Sequence, residues 1–140
     1  MSQEDPKNLK VTPVSEIKEK SKKLIVEGIP TELPSGVVVV LGRPSLTKML
    51  KDGVIPGNLI QAALNQMQNK VPMTAEEIKA SISVTELLVL EAIKSMKVVV
   101  ENPKEDELGL YENFTDDDRG FIFQYVQAGG TDLTPFRPKQ

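Results

Sequence analysis

The sequence predicts a mainly α-helical domain with a small N-terminal β-hairpin, preceded by a flexible polar arm. Three features favour this α+β class: a turn motif followed by four valines, several segments with apolar residues at helical spacing, and a lysine-rich start without a sustained apolar face. At 140 residues the chain is long enough for one domain with its own core. We therefore expect an arm over residues 1–23 and a single domain over residues 24–137.

The arm is defined by its composition. Residues 1–23 contain six lysines, four acids and two prolines, which is typical of a mobile segment. A short helix over residues 15–23 fits within it. Because Val14, Ile17 and Leu24 lie near helical spacing, the alternative is that the arm becomes ordered on a partner.

The hairpin is predicted over residues 29–41. The letters LPSG at residues 33–36 suit a turn, since proline presets one backbone angle and glycine accepts a positive one. Strands are expected at residues 29–33 and 37–41, because β-branched valines favour an extended backbone. The valine run does not alternate with polar residues, so both faces of this strand should be covered, by helices or by another chain.

Two packing helices are predicted next, over residues 45–52 and 58–69. Ser45 can cap the first, whose end suits Gly53, and Asn58 can open the second. Their apolar residues share one face of each helix. These are Leu46, Met49 and Leu50 in the first helix and Leu59, Ile60, Ala63, Leu64 and Met67 in the second.

A longer helix is predicted over residues 75–98. The letters TAEE at residues 74–77 form a capping box, and Ile78, Ile82 and Val89 begin an apolar stripe that continues through Ile93 and Met96. A second S-x-x-E signature at residues 83–86 leaves open whether the segment is one rod or two helices.

Two leucines of this segment, Leu87 and Leu90, point away from the stripe. A helix with apolar residues on two faces is either central to its domain or partly buried by a partner. The first interpretation is favoured, and the second makes both leucines candidate partner-binding residues.

The C-terminal part combines an acidic loop with a last helix. Residues 101–118 hold eight acids and one lysine, a local charge of −7 that predicts a solvated loop. Thr115 can cap a helix over residues 116–128, where the aspartates at 116–118 favour the positive end of the helix dipole.

Four of the six phenylalanine and tyrosine residues fall in the last twenty positions. In the last helix Phe121, Ile122, Tyr125 and Val126 cover one broad face, as ordinary core residues do, whereas Phe123 lies off that face and is a candidate for exposure.

Beyond Gly129 and Gly130, Phe136 is followed by Arg137, and an aromatic beside an arginine is common at binding surfaces. The alternative is that Phe136 folds back over the last helix. Phe123, Phe136 and Arg137 thus join Leu87 and Leu90 as partner-binding candidates.

Recognisable catalytic chemistry is missing. The chain has no histidine and no cysteine, so the usual nucleophile–base pairs cannot be built within it. Ser45 to Lys48 matches S-x-x-K, but a helix cap explains Ser45 better. We expect no enzyme, no cofactor and no metal, since three consecutive helical aspartates do not converge on one ion. A net charge of −3 and interrupted apolar runs argue against nucleic-acid and membrane partners.

The order of several phrases resembles a known family. They are ELPSGVVVVLGRPSLTKMLKDGVIPGNLI, a central apolar helix ending in VENP, an acidic loop, DDDRGFIFQYVQAGG and a closing LTPFR. Together these phrases, over residues 31–137, are similar to the tail assembly chaperones of long-tailed bacteriophages.

The resemblance implies a small, helical, non-catalytic protein of the host cytoplasm. Such chaperones coat the tape measure protein, keep it soluble until tail tube protein polymerises around it, and are absent from the mature virion. Self-association along the client is compatible with this role. Many are made in two lengths by ribosomal frameshifting, and codons for residues 137–139 can spell the slippery heptamer C-CCA-AAA. A structural virion component, such as a head-tail or minor tail protein, is the alternative, and a small host adaptor is a third possibility.

Overall fold

The computed structural model describes residues 9–128, and this part of the chain is mainly α-helical with a small antiparallel hairpin. Its five α-helices are α1 (Val14–Ser21), α2 (Leu46–Lys51), α3 (Ile60–Met67), α4 (Ala75–Ala92) and α5 (Asp116–Ala128). Its four strands are β1 (Ile29–Glu32), β2 (Val38–Leu41), β3 (Val98–Val99) and β4 (Leu108–Gly109).

The predicted hairpin is present, but residues 9–128 cover only one of its faces. β1 and β2 pair antiparallel with Ile29 opposite Leu41, and Gly36 in the turn has a φ of 94°. Val39 and Leu41 are buried in the core, whereas Val38 is exposed. Within residues 9–128 the expected cover of both faces by helices is therefore not found, and cover of the second face by another chain stays a prediction. The valine run follows strand propensity, and only alternate side chains reach the core.

α2 and α3 occupy the predicted positions with shifted ends. Ser45 accepts a hydrogen bond from the Lys48 backbone N–H at 3.2 Å and caps α2. A 3₁₀ turn at Gly57–Leu59 precedes α3, so the α-helix does not begin at Asn58. α3 ends at Met67, and Asn69 follows with a positive φ of 59°.

α4 is one continuous helix, but it is shorter than predicted. The capping box forms as expected, with Thr74 and Glu77 bonding each other's backbone N–H groups, and the helix runs through Ser83 without a break. It ends at Ala92 instead of continuing to residue 98. At that point the Gly42 N–H donates to the Ala92 carbonyl at 2.7 Å, and Ile93 becomes extended and bridges Leu41. Pairing with β2 thus replaces the next helical turn.

The acidic segment is more structured than a solvated loop. Its residues 108–109 form β4, which pairs parallel to β3, with the Leu108 N–H donating to the Lys97 carbonyl at 3.0 Å. Leu110 and Phe114 are buried within it. Two apolar side chains therefore anchor this segment to the core although its net charge is strongly negative.

The core lies between the hairpin, α4 and α5. Its buried apolar residues come from almost every element after β1: Leu33, Val39, Leu41, Met49, Ile55, Ala63, Val84, Leu88, Val89, Ala92, Ile93, Val98, Leu110, Phe114, Ile122 and Val126. α4 lies at the centre of this cluster, because it packs against both α3 and α5.

α1 lies outside this core. The short helix predicted over residues 15–23 begins at Val14 and continues beyond Ser21 as a π-helical segment, Lys22–Glu27. Residue 24, the expected start of the domain, falls inside this segment. No residue of α1 is buried. The segment joins the body where the Arg43 N–H donates to the Leu24 carbonyl at 3.0 Å.

Candidate partner-binding groove

A groove of about 230 Å³ lies between α4 and α5. We call it the α4–α5 groove and define it by its apolar lining residues, which are Ile82, Val89, Leu110, Tyr111 and Phe123. Polar side chains at its border include Ser81, Thr85, Glu86 and Arg119, and Gly120 completes the α5 wall. The surface is thus an apolar floor with a polar rim, as binding sites for other proteins commonly are.

α4 supplies the floor because its apolar residues cover more than one face. At about 100° per residue, Ile78, Ile82 and Val89 lie on one side of the helix, whereas Val84 and Leu88 lie about a third of a turn away, facing the core. Val89 is buried, but Ile78 and Ile82 remain 45% and 49% exposed. Ile82 therefore lines the groove, and Ile78 lies exposed one helical turn before it on the same side of α4, instead of packing in the core.

The rim is held by one connected set of polar contacts. The Tyr111 hydroxyl donates to a Glu86 carboxylate oxygen, which links the acidic segment to α4. The Arg119 guanidinium lies 4.5 Å from the centre of the Tyr111 ring. It also donates to the Leu110 carbonyl at 3.1 Å and forms an ion pair with Asp116. Tyr111 is thereby positioned before any partner binds, which lowers the entropy cost of binding.

The hydrogen bond to Glu86 is the main reason that the pKa of Tyr111 is raised above its usual value of 10.0. Partial burial and the Glu86 charge act in the same direction, and Arg119 opposes them. The phenol therefore remains a neutral hydrogen-bond donor at physiological pH.

Asp118 connects the first turn of α5, the helix that forms one wall of the groove, to the hairpin turn. It is 1% exposed, and its carboxylate accepts from the Ser35 backbone N–H at 3.0 Å and from the Ser35 hydroxyl at 2.7 Å. Its own N–H donates to the Thr115 hydroxyl at 3.0 Å, the predicted cap of α5. Burial alone would raise the pKa of Asp118, but hydrogen bonds from Ser35 and Thr115 outweigh it and hold the pKa below the usual value. The hairpin turn and α5 are thus joined by a buried carboxylate.

The three consecutive aspartates therefore have different partners. Asp116 pairs with Arg119, Asp117 is exposed, and Asp118 bonds Ser35. Among residues 9–128 no group of three or more acidic side chains is placed to hold a metal ion.

The sequence-predicted binding residues are distributed over two surfaces. Leu87 and Leu90 are half-buried and pack against the core from the side of α4 away from the groove. Phe123 is half-buried and lines the groove. Phe136 and Arg137 lie outside the described residues.

The sequence predicted that Phe123 is exposed and that Phe121 is buried, and both predictions are wrong. Phe121 is exposed, whereas Phe123 packs partly against the core. The reason is that α5 uses two neighbouring faces, one for Ile122 and Val126 in the core and one for the groove, and Phe121 lies opposite the groove.

Sequence reasoning missed Ile82 and Tyr111 as site residues. Ile82 was recognisable as an apolar helical position, but its spacing does not distinguish a core face from an exposed one. Tyr111 lies in an acidic segment without periodicity, and only the pairing of β3 with β4 brings it beside α4.

A second cleft, of about 250 Å³, lies between α3 and α4, and most of its lining side chains are polar or charged. The Gln66 side-chain amide on its wall donates to the Ser81 carbonyl at 2.9 Å, while its oxygen is buried without a hydrogen-bond partner among the described residues. This arrangement primarily joins the two helices.

None of the helices found between residues 9 and 128 is long and apolar enough to cross a membrane. Comparison with known proteins adds no relative, since no family model, no curated protein and no solved structure matches the chain. Functional inference therefore depends on the residues and on the α4–α5 groove.

Proposed function

We propose that this chain is a non-catalytic phage tail assembly chaperone, which binds and solubilises the tape measure protein and helps to recruit tail tube protein. It acts in the host cytoplasm and is released before the virion is complete. The ordered phrases between residues 31 and 137 that resemble this family motivate the proposal, and the exposed apolar floor of the α4–α5 groove is the observation that carries it.

The groove has features suited to an apolar helix. Ile78 and Ile82 are one helical turn apart, so a client helix with apolar residues at the same spacing can pack along them. Phe123 forms part of the opposite wall, and the Tyr111–Glu86 hydrogen bond closes one border. Each copy would thus cover a short length of client.

A groove of this size also suits reversible binding. Burying one isoleucine and part of one phenylalanine stabilises a complex by only a few kcal/mol, so a single contact is weak. Many copies lined up on one long client gain avidity from each other. Polymerising tube protein can then displace them one at a time.

The test is co-expression of the full chain with a phage tape measure protein, followed by measurement of the soluble fraction of that protein. We expect wild type to keep the client soluble and Ile82→Asn to reduce the soluble fraction several-fold. Ile60→Asn is the matched control, because Ile60 is a similarly exposed isoleucine on α3, outside the groove. Equal client solubility with and without the chain would refute the proposal.

Mass spectrometry of purified virions separates the chaperone from the alternative of a structural virion component. A chaperone is absent from mature particles, whereas a head-tail or minor tail protein is present in fixed stoichiometry.

A further inference from the structure

A further apolar opening lies at the point where α5 ends. It measures about 190 Å³, and we call it the C-terminal cleft. Its apolar lining residues are Pro44, Leu46, Met67, Leu88 and Val126. Leu88 and Val126 belong to the core, whereas Met67 is 45% exposed. Within residues 9–128 the cleft therefore leads from solvent directly to core side chains.

The polar lining of the cleft restricts what can occupy it. Its polar side chains, Gln66, Asn69 and Gln127, are all carboxamides, and no charged residue of the described part of the chain lines it. A charged group placed there would lose water without gaining a counter-ion. Carboxamides both donate and accept hydrogen bonds, so they suit the backbone N–H and C=O groups of a peptide. The cleft is thus suited to a short uncharged peptide with an apolar side chain.

The sequence after α5 contains such a peptide. Residues 129–140 lie outside the described part of the chain, and within them the letters LTPF at residues 133–136 form an uncharged stretch between an aspartate and an arginine. Leu133 and Phe136 are its large apolar side chains. The stretch therefore matches the cleft both in charge and in apolar content.

The cleft is also within reach of this stretch. Val126 lies two residues before Ala128, where α5 ends, which is about 3 Å along the helix axis. The glycine pair at residues 129–130 can adopt positive φ values, which let a chain reverse direction after a helix. The chain from Ala128 to Phe136 can span up to about 26–29 Å. Phe136 can therefore return to the cleft of its own copy without any change in α5.

We propose that residues 133–136 fold back onto the C-terminal cleft of the same chain and insert the Phe136 ring between Met67 and Val126. The volume supports this occupant, because an apolar cavity of about 150 Å³ holds one benzene ring. A cleft of about 190 Å³ thus has room for one phenylalanine ring. The carboxamides at its border bind the backbone of the segment.

The α4–α5 groove is a poorer site for this segment. Its α5 wall contains Arg119 and Gly120, which lie about 12–14 Å back from the end of the helix. Glu86 and Arg119 also place charges at its border, whereas residues 133–136 are uncharged. Occupation of the C-terminal cleft leaves the α4–α5 groove open, so the inference does not depend on the proposed function. It assigns Phe136 to a contact within this chain instead of a contact with a partner.

Fluorescence of a single tryptophan tests this contact in the full chain. Since the chain has no tryptophan, Phe136→Trp places the only indole at the proposed contact. We expect its emission in the folded protein to lie at shorter wavelength than in urea, and acrylamide quenching to be several-fold weaker. Met67→Lys in the same protein puts a charge into the cleft and should return both values to those in urea. Ile60→Lys is the matched control, because Ile60 is a similarly exposed residue of α3 outside the cleft, and it should leave both values unchanged.

Dilution and a further lysine variant identify the site. Docking within one copy makes the emission independent of protein concentration. A shift to longer wavelength on dilution would show that the occupant belongs to another copy, and would overturn the proposal. Ile82→Lys, in the α4–α5 groove, should leave the emission unchanged. Release of the indole by Ile82→Lys instead of Met67→Lys would place the segment in the other groove, and would also overturn the proposal.

Urea unfolding provides a readout that does not require the larger indole to fit. Phe136→Ala should lower the urea midpoint by about 0.5–1 M, as expected for the loss of one partly buried phenylalanine ring. It should have almost no further effect in the Met67→Lys background and its full effect in the Ile60→Lys background. Circular dichroism checks that the lysine variants still fold, as expected for exposed positions. If this coupling to Met67 is found, the proposal stands even where the indole is exposed, whereas an unchanged midpoint for Phe136→Ala overturns it.

Discussion

Removal of the Asp118 carboxylate tests the link between the hairpin turn and α5. Asp118→Ala eliminates two hydrogen bonds to a charged acceptor, from the Ser35 N–H at 3.0 Å and the Ser35 hydroxyl at 2.7 Å. Each such bond contributes about 1.5–3 kcal/mol. Because Ser35 is exposed, water can replace part of the lost hydrogen bonding. We therefore expect the free energy of unfolding to fall by about 2–3 kcal/mol.

Urea unfolding followed by circular dichroism measures this loss. With a denaturant slope of about 1–3 kcal/mol per molar for a small domain, the midpoint should fall by about 1–2 M while the slope is unchanged. Asp117→Ala is the matched control, because Asp117 lies in the same first turn of α5 but is exposed. The free energy of unfolding of the Asp117→Ala protein should fall by less than about 1 kcal/mol, the usual size of a helix-dipole effect.

A double-mutant cycle identifies the partner. In the Asp118→Ala background, Ser35→Ala should have almost no further effect, because the hydroxyl has already lost its acceptor. If Asp118→Ala and Asp117→Ala shift the midpoint equally, or if the Ser35 and Asp118 effects simply add, the reasoning about a buried link is refuted.

Three further predictions concern protonation and capping. Because the pKa of Asp118 is lowered in the folded state, the Asp118 carboxylate stabilises the fold above its usual pKa of 3.8, and this stabilisation is lost as the pH falls through the lower folded pKa. The urea midpoint of wild type should thus approach that of Asp118→Ala in acid. A difference between the two midpoints that stays constant down to full protonation would contradict this. Thr74→Ala removes the hydroxyl of the α4 capping box and should lower the free energy of unfolding by about 1 kcal/mol, measured by thermal or urea unfolding. An unchanged unfolding midpoint would show that the cap does not stabilise α4. Glu86→Gln should lower the phenol pKa of Tyr111 toward 10.0, measured by phenolate absorbance in a Tyr125→Phe background, and an unchanged pKa would show that the hydrogen bond to Glu86 is not formed in solution.

Local sequence signals predicted where most elements lie. The turn letters at residues 33–36, the Ser45 cap, the Thr74–Glu77 capping box and the Thr115 cap all form as expected, because each depends on side chains within a few residues of one another. Such contacts are available to the chain before it folds.

Element ends were predicted less well where distant segments compete for the backbone. The periodicity of α4 continues to Met96, yet the helix ends at Ala92, since the Gly42 N–H takes the Ala92 carbonyl and Ile93 pairs with Leu41. A partner fifty residues away in sequence cannot be recognised from helical spacing.

The sequence alone determined the α+β class of this protein, the positions of its caps and turn, and the missing histidine and cysteine chemistry. Only the tertiary structure decided that Ile82 faces outward beside Phe123, that Tyr111 reaches Glu86, and that Asp118 is buried against Ser35. The physical reason is that α4 is apolar on several faces. Which face becomes core and which becomes groove depends on where α5 and the acidic segment pack, and that choice is made by contacts between residues far apart in the chain.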